Sequence, residues 1–412
     1  MSAEIKTKKC DVLIIGGGLA GASLACALEG SGLSIEIIEA YPLNTDSQPC
    51  YDDRTVALSY GSRVIFEAMG LWDAMADRIE PIKTIHISDR GHLGVTRLRH
   101  EDEGVEALGY VAENRVLGEV LYQRLANNPD VLMHCPAEVL DLQQQADSVQ
   151  LRYTENGEQH ELTAGLVIVA DGVTSKTRDM LQIGTSRQDY QQSAVITNIT
   201  PGQPHGNIAY ERFTDTGPLA FLPLTENRCS VVWTVPSEQA EELAALDDEV
   251  FLEKLQQRFG FRLGRLKKVG QRHVYPLALV ESTQVVRGRV VIMGNAAHAI
   301  HPVAGQGFNL ALRDIALFAE LLTSDKLQTL DEKLATYEEM REKDARRVYK
   351  FTDALVKIFS NDFSVLGHLR ASALLATDLM PFVKHRLARQ SMGLSGRLSK
   401  LGRGLAMGKS NV

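Results

Sequence analysis

Asp11–Glu39 reads DVLIIGGGLAGASLACALEGSGLSIEIIE, and this stretch decides the fold. Asp11–Ile15 is a short apolar strand, Ala20–Leu28 is alanine-rich and helical, and Ser34–Glu39 is a second strand. Together they form a βαβ unit of about 30 residues. Between strand and helix, Gly16-Gly17-Gly18-Leu19-Ala20-Gly21 fits the pattern G-x-G-x-x-G. Gly16 allows the tight turn, Gly18 lets the backbone approach a pyrophosphate, and Gly21 lets helix and strand pack closely. Glu39 follows 18 residues after Gly21 and can accept hydrogen bonds from both ribose hydroxyls. An acid there favours an unphosphorylated ribose, hence FAD or NAD rather than NADP at this site.

A second stretch, Val290–Asp314 (VVIMGNAAHAIHPVAGQGFNLALRD), reads as a buried strand, a Gly-Asn turn, a loop and a helix. The loop Pro302-Val303-Ala304-Gly305-Gln306-Gly307 offers backbone N–H groups at a helix N-terminus, which suits a ligand atom carrying negative charge. Paired with the N-terminal glycines, it suggests one flavin held from two ends. Two further segments have two readings each. Asp52-Asp53-Arg54, before the helix-like TVALSYGSRVIFEAMGLW, is either a solvated charged turn or a guanidinium near a cofactor. Asp171-Gly172 after the strand Leu166–Ala170 is either a strand-ending turn or a carboxylate at the ligand-facing end of a parallel sheet.

The remaining chain sets bounds. Its 412 residues suffice for two domains or one discontinuous pair, and 44% hydrophobic and 23% charged residues are ordinary for a globular protein. A net charge of −8 excludes nucleic-acid binding by bulk electrostatics. Five scattered cysteines with no CxxC argue against a disulfide framework or zinc site and favour a reducing cytoplasm. His298 and His301 lack nearby carboxylates or thiols, so no metal is expected. No G-x-S-x-G, HExxH or P-loop supports hydrolysis or phosphoryl transfer. No apolar run is long enough to cross a membrane, and the basic, apolar N-terminus turns glycine-rich too soon for a signal peptide.

Asn114–Leu125 reads as an amphipathic helix. From Ala194 to Val235, AVITNI, IAYERF, LAFLPL and CSVVWTV predict a mostly antiparallel sheet. Glu238–Phe259 reads as one charged helix, and Val274–Leu279 leads back towards the first domain. Gln306–Leu322, Leu330–Ile358 and Asp362–Leu379 read as helices.

In this order, the motifs resemble the class A flavoprotein monooxygenases of the para-hydroxybenzoate hydroxylase fold. The glycines, Asp53-Arg54, Glu113-Asn114-Arg115, Asp171-Gly172, Gly294 and Pro302–Asn309 carry the resemblance over roughly residues 9–350. Ser88–His92, Gly217–Pro223 and Gly294–His298 point within it to the ubiquinone-biosynthesis hydroxylases. The resemblance implies an α/β (mixed α+β) fold: a Rossmann-like FAD-binding domain from residues 1–75, 101–185 and 273–330. A substrate domain comes from strands in 76–100 and an inserted, mostly antiparallel sheet in 186–272, with C-terminal helices and a basic tail in 331–412. It implies FAD contacts from Gly16, Gly18, Gly21, Glu39, Arg54, Arg115, Asp171, Asn295, Pro302, Gly305, Gln306, Gly307, Phe308 and Asn309. Most of the family has Gly-Asp where this chain has Gly294-Asn295; Asn keeps an acceptor, adds a donor and loses the charge, which is harmless beside pyrophosphate. The same Gly-Asn occurs in the hydroxylases that act on 2-polyprenyl-6-methoxyphenol.

The implied reaction is hydroxylation of a prenylated phenol, at ring carbon 1, with NAD(P)H reducing FAD and O₂ activated as a C4a-hydroperoxide. No second glycine fingerprint serves NAD(P)H, so it visits transiently, and no catalytic base is assigned. Tyr275-Pro276-Leu277 is expected near the ring. Alternatives are a sister hydroxylase acting at another ring carbon, a reductase, epoxidase or halogenase of the same fold, or a non-catalytic flavin-binding scaffold subunit.

After Asp378 come seven basic residues and no acid, so the net −8 conceals a more acidic body. Leu394, Leu398, Leu401 and Leu405 fall on one helical stripe with Arg397, Lys400 and Arg403 off it, which suits an interfacial helix on anionic lipid at the inner face of the plasma membrane. A frayed tail, a homo-oligomer contact or another ubiquinone-biosynthesis protein are the other readings.

Overall fold

Lys8–Ile15 runs parallel to Ile35–Ile38 on one side and to Glu158–Val169 on the other. Val131–His134 extends this sheet at one end and Val290–Ile292 at the other, both parallel. The computed structural model describes residues 8–43, 54–92, 94–300, 305–326, 329–359 and 376–407. Asp52, Asp53, His301, Pro302 and most of the helix expected over Asp362–Leu379 lie outside them.

Alternation fixes what each face of the first strand meets. Val12 and Ile14 join a core built with helices Leu19–Ala27, Asn114–Ala126 and Gln306–Leu322. Leu13 and Ile15 join a second core, covered by the antiparallel strands Ala137–Gln144 and Val149–Glu155. Burial on both faces explains why these strands are continuous Val, Ile and Leu runs.

The second sheet has the order His298–Ala299, His273–Ser282, Thr185–Thr200, Arg228–Pro236, Gly217–Leu224, Ile208–Thr214, Thr84–Asp89, Val95–Arg99. Neighbours are antiparallel except Ile208–Thr214 beside Thr84–Asp89, which is parallel. One face packs Val195, Leu219, Phe221, Val231 and Trp233 against the helix Asp248–Phe259. A third sheet, Thr55–Ser59, Gly109–Glu113 and Glu80–Ile82, links the two. Thr55 Oγ1 donates to Ser230 Oγ (2.8 Å), and Arg228 pairs with Glu113 (2.9 Å).

Four expectations need correcting. The helix-like segment after Arg54 begins as the strand Thr55–Ser59; Ser59 then caps the helix Tyr60–Ala68, accepting from Ser62 N at 3.2 Å. Glu238–Phe259 is two helices, Ser237–Ala244 and Asp248–Phe259. The chain restarts at Asp248-Glu249, where acids favour the first turn of a helix. Val274–Leu279 does not return at once to the parallel sheet: it belongs to His273–Ser282, which pairs along its length with Thr185–Ile196.

The fourth concerns the tail. A helix covers Pro381–Ser391, but Leu394–Leu405 forms no helical stripe. Gly393, Gly396 and Gly404 take φ of +70°, +92° and +76°, which interrupts a right-handed helix. Leu401 is only 1% exposed and sits in the main core, and burying such a side chain contributes about 1.5–3 kcal/mol. That outweighs what a glycine-weakened exposed helix offers. Gly61 N donates to Met392 O (2.8 Å) and Lys400 N to Glu320 (2.7 Å), so the tail is tied to the body.

At the sheet end, buried His134 lies between Glu36 (Nε2–Oε2 2.8 Å) and Glu155 (Nδ1–Oε2 3.0 Å). Burial works to lower its pKa, but the two carboxylates outweigh it and the net shift is upward from 6.5. The stability this charge contributes is complete below 6.5 and is lost as pH rises through the higher native value. Denaturant unfolding at about pH 6 and about pH 9 should show wild type losing more stability than His134→Gln across that interval.

Candidate active site

The glycine turn is built by close approach. Gly16 has φ +100°, and a Cβ there would lie 2.5 Å from Ala170 O. A Cβ on Gly21 would lie 1.9 Å from Gly16 O, so helix and strand can meet only without one. At Gly18 the same Cβ would meet nothing within 4 Å, because this position opens onto the cavity. Tyr122 OH donates to Gly17 O (2.6 Å), bracing the turn from the helix Asn114–Ala126. Buried Glu39 also lines the cavity. Its Oε2 accepts from Gly17 N (2.6 Å) and its Oε1 from Tyr41 N (2.8 Å).

Asp171 stands across from these glycines on the cavity wall. Its Oδ2 accepts from Thr177 N (3.2 Å), while its buried Oδ1 has no partner among the described residues. Gly294 and Asn295 line the same wall; a Cβ on Gly294 would come within 2.9 Å of Ala20 Cβ. An open glycine cradle and an orphaned carboxylate oxygen fit a dinucleotide, whose phosphates need backbone N–H groups and whose ribose or waters can donate to Asp171.

At the far end, Gly305 (φ +60°) starts the helix Gln306–Leu322. Gly305, Gly307, Phe308 and Asn309 line the cavity; Gln306 is buried behind them. Asn309 is held by four hydrogen bonds. Its Oδ1 accepts from Ser59 N and Ser62 Oγ (both 2.7 Å), and its Nδ2 donates to Ala57 O (2.7 Å) and Gly305 O (2.6 Å). The side chain is therefore spent on fixing the helix start against the strand Thr55–Ser59. Arg54 lines the cavity with its guanidinium 5.4 Å from the Tyr275 ring centroid. Arg115 is exposed, paired with Glu113 (3.2 Å) and Glu119 (3.4 Å); its neighbour Asn114 lines the cavity instead.

One cavity of about 960 Å³ joins these two ends to the second sheet. Because side chains alternate, the sheet face turned away from its own core forms the cavity wall. Ile87, Glu211, Ala220, Val232 and Ile196 make a single cross-strand row there. Glu211 was missed by reading the sequence. By area it is half-buried, yet protein surrounds it, because the surface left to it is cavity wall. Burial pushes its carboxyl up to about 7. Tyr275 and Leu277 line the wall from within the strand His273–Ser282.

Buried His298 is a structural residue. Its Nδ1 accepts from Arg341 (2.5 Å), and burial followed by the Arg341 charge pushes its pKa well down, so it is neutral. Arg341 also pairs with Asp314 (3.0 Å), whose carboxyl burial pushes up to about 6.

Comparison with known proteins agrees with this architecture. The family model described as "FAD binding domain" matches residues 9–352. The chain is similar to ubiquinone hydroxylase UbiL of Rhodospirillum rubrum, 36% identical over 94% of this chain and 90% of that protein. It is similar to the 3-demethoxyubiquinol 3-hydroxylase of Escherichia coli, 30% identical over 93% of this chain and 98% of that protein. In structure it resembles p-nitrophenol 4-monooxygenase PnpA from Pseudomonas putida, with TM-score 0.78 and 18% identity over 95% of this chain and 100% of that one. That likeness bears out the para-hydroxybenzoate hydroxylase type of fold.

Replacing Asn309 by Ala orphans Ser59 N–H and the Ala57 carbonyl in a site that is 1% exposed. At about 1–3 kcal/mol for each buried group left unpaired, denaturant unfolding should show a loss of at least about 2 kcal/mol. Faster release of bound flavin, followed by its fluorescence, should accompany it.

Proposed function

The chain belongs to the FAD-binding domain family, and from that premise we propose that it is an FAD-dependent monooxygenase that hydroxylates a polyprenylated phenol in ubiquinone biosynthesis. The observation that carries this is the single cavity running from a dinucleotide cradle to an apolar sheet face. We assign the substrate as 2-polyprenyl-6-methoxyphenol and the site of attack as ring carbon 1, with O₂ as oxidant and NAD(P)H as donor. The Gly294-Asn295 pair supports that assignment within the ubiquinone hydroxylases.

Bound FAD supplies the electron store and oxygen activation that no side chain offers. The chain's own residues bind, orient and keep the site dry. Gly16, Gly18 and Gly21 admit the pyrophosphate, with Glu39 and Asp171 accepting from ribose or ordered water. The N–H groups at the start of the helix Gln306–Leu322 would favour negative charge at the ring edge, where the helix dipole supports it. Arg54 adds a fixed positive charge beside Tyr275. Ile196, Ala220, Leu222 and Val232 roof the ring region and exclude water.

Access for a bilayer substrate is proposed at the helix Pro381–Ser391. Leu379, Met380 and Phe382 are 71%, 52% and 77% exposed at its start. Arg386 and Arg389 are exposed on it, while Leu387 and Ser391 line the cavity. An apolar edge flanked by cations suits an anionic membrane surface. No helix among the described residues is long and apolar enough to cross a membrane.

Purified protein should be yellow, and a prenylphenol should stimulate NAD(P)H oxidation with label from O₂ appearing in the product. Failure to incorporate oxygen into any prenylphenol would remove the main reading and favour a scaffold subunit. Vesicles containing phosphatidylglycerol should carry the protein upward on flotation, whereas pure phosphatidylcholine vesicles should carry much less. Phe382→Glu should abolish that flotation with flavin content intact; unchanged flotation would refute this docking edge.

A further inference from the structure

The cavity wall contributed by the second sheet is mostly apolar, with the hydroxyls of Thr234 and Tyr275 and, among its described residues, one carboxylate. On the strand Ile208–Thr214, Ala209, Glu211 and Phe213 share the cavity face. Glu211 is flanked across the strands by Ile87 and Ala220. Its carboxyl has no hydrogen-bond or ion-pair partner among the described residues. The titratable side chains nearby do not serve it. His86 and Arg212 alternate to the reverse face, and Asp89 is paired with His92 (3.1 Å). Burial alone accounts for its shift, so no neighbouring charge compensates it. An unpartnered carboxylate in an apolar wall destabilises the fold, and nothing among the described residues offsets that cost. What enters the cavity must therefore supply its partner, and the partner has to be a hydrogen-bond donor or a proton.

We propose that Glu211 is the catalytic base that takes the proton of the bound phenol. The inference rests on the phenol-hydroxylase reading. The phenolic O–H bond breaks, the proton passes to a Glu211 oxygen, and the electron pair stays on the ring oxygen. A phenolate is a far better nucleophile towards activated O₂, whose electrons come from NAD(P)H. After oxygen transfer the ring C–H bond breaks and its electron pair restores aromaticity. The carbon-bound proton leaves to solvent, while Glu211 returns its own proton to the ring oxygen and is regenerated. A base whose pKa lies near working pH is the efficient one.

The test uses FAD-loaded protein and a short-chain 2-prenyl-6-methoxyphenol. Wild-type hydroxylation should rise with pH to a midpoint near 7. Glu211→Gln, nearly isosteric and uncharged, should keep its flavin and its melting temperature and still bind the phenol. Its hydroxylation should fall about 100-fold or more at neutral pH. The midpoint of that variant should move towards the phenol's own ionisation, near about 10. The near-ultraviolet phenolate band of bound phenol, seen at neutral pH with oxidised wild type, should vanish in it. Glu211→Asp should retain the midpoint near 7 at reduced rate, which guards against a folding defect in the amide variant. An amide variant with the wild-type rate and pH profile overturns the proposal. So does weaker phenol binding with the profile retained, which would make Glu211 a specificity contact. Wild type that neither binds nor hydroxylates any prenylphenol defeats the phenol-hydroxylase reading itself, and the base with it.

Discussion

Asn309 ties the start of its own helix, at Gly305, to a region some 250 residues earlier in sequence: Ala57 and Ser59 on one strand and Ser62 on the helix that follows it. The geometry at the ring end of the cavity depends on this one amide. It pins the N-terminus of Gln306–Leu322, so Gly305, Gly307 and Phe308 are held at the cavity wall. Gly305 must be glycine for the same reason. It takes φ +60°, and a Cβ would lie 2.9 Å from Ala57 Cβ, the contact the amide draws tight.

From that junction the two sheets divide the labour. The parallel sheet is buried on both faces and offers only strand ends and turns, where Gly16–Gly21, Asp171 and Gly294-Asn295 converge. The antiparallel sheet spends one face on its own core and leaves the other to the cavity. Hydrogen-bonding groups therefore cluster at the dinucleotide end, and dry surface at the ring end. A monooxygenase needs that polarity, because the cofactor requires donors and its reactive edge requires the absence of water.

The sheet wall also shows how one charge gains a meaning that its composition hides. In IAYERF the Glu stands next to an Arg, and the segment reads only as a strand. Alternation sends Arg212 to the reverse face, where its Nη1 donates to Phe259 O (3.0 Å), and leaves Glu211 alone among Ile87, Ala220 and Phe213. The signal that would have found it is a carboxylate two residues from Ala209 and two from Phe213, on the face not needed by the core. The tail misled in the opposite sense. Its leucine spacing matched a helical stripe, but the left-handed glycines and the buried Leu401 bind it to the body, and the exposed apolar edge lies earlier, at Leu379–Phe382.

The local elements and the two anchoring motifs follow from the order of residues along the chain. A strand, a glycine turn, a helix and a terminal acid are short-range features, set by alternation, by helical period and by what a missing Cβ permits. Gly16, Gly21 and Gln306–Leu322 were legible for that reason. Which groups share the cavity is set by folding. The four bonds of Asn309, the brace from Tyr122, the position of Arg54 over Tyr275 and the isolation of Glu211 all depend on segments remote in sequence meeting in space. Whether a charge is paired, solvated or stranded is a property of its neighbours after folding, and no spacing rule along one strand contains it.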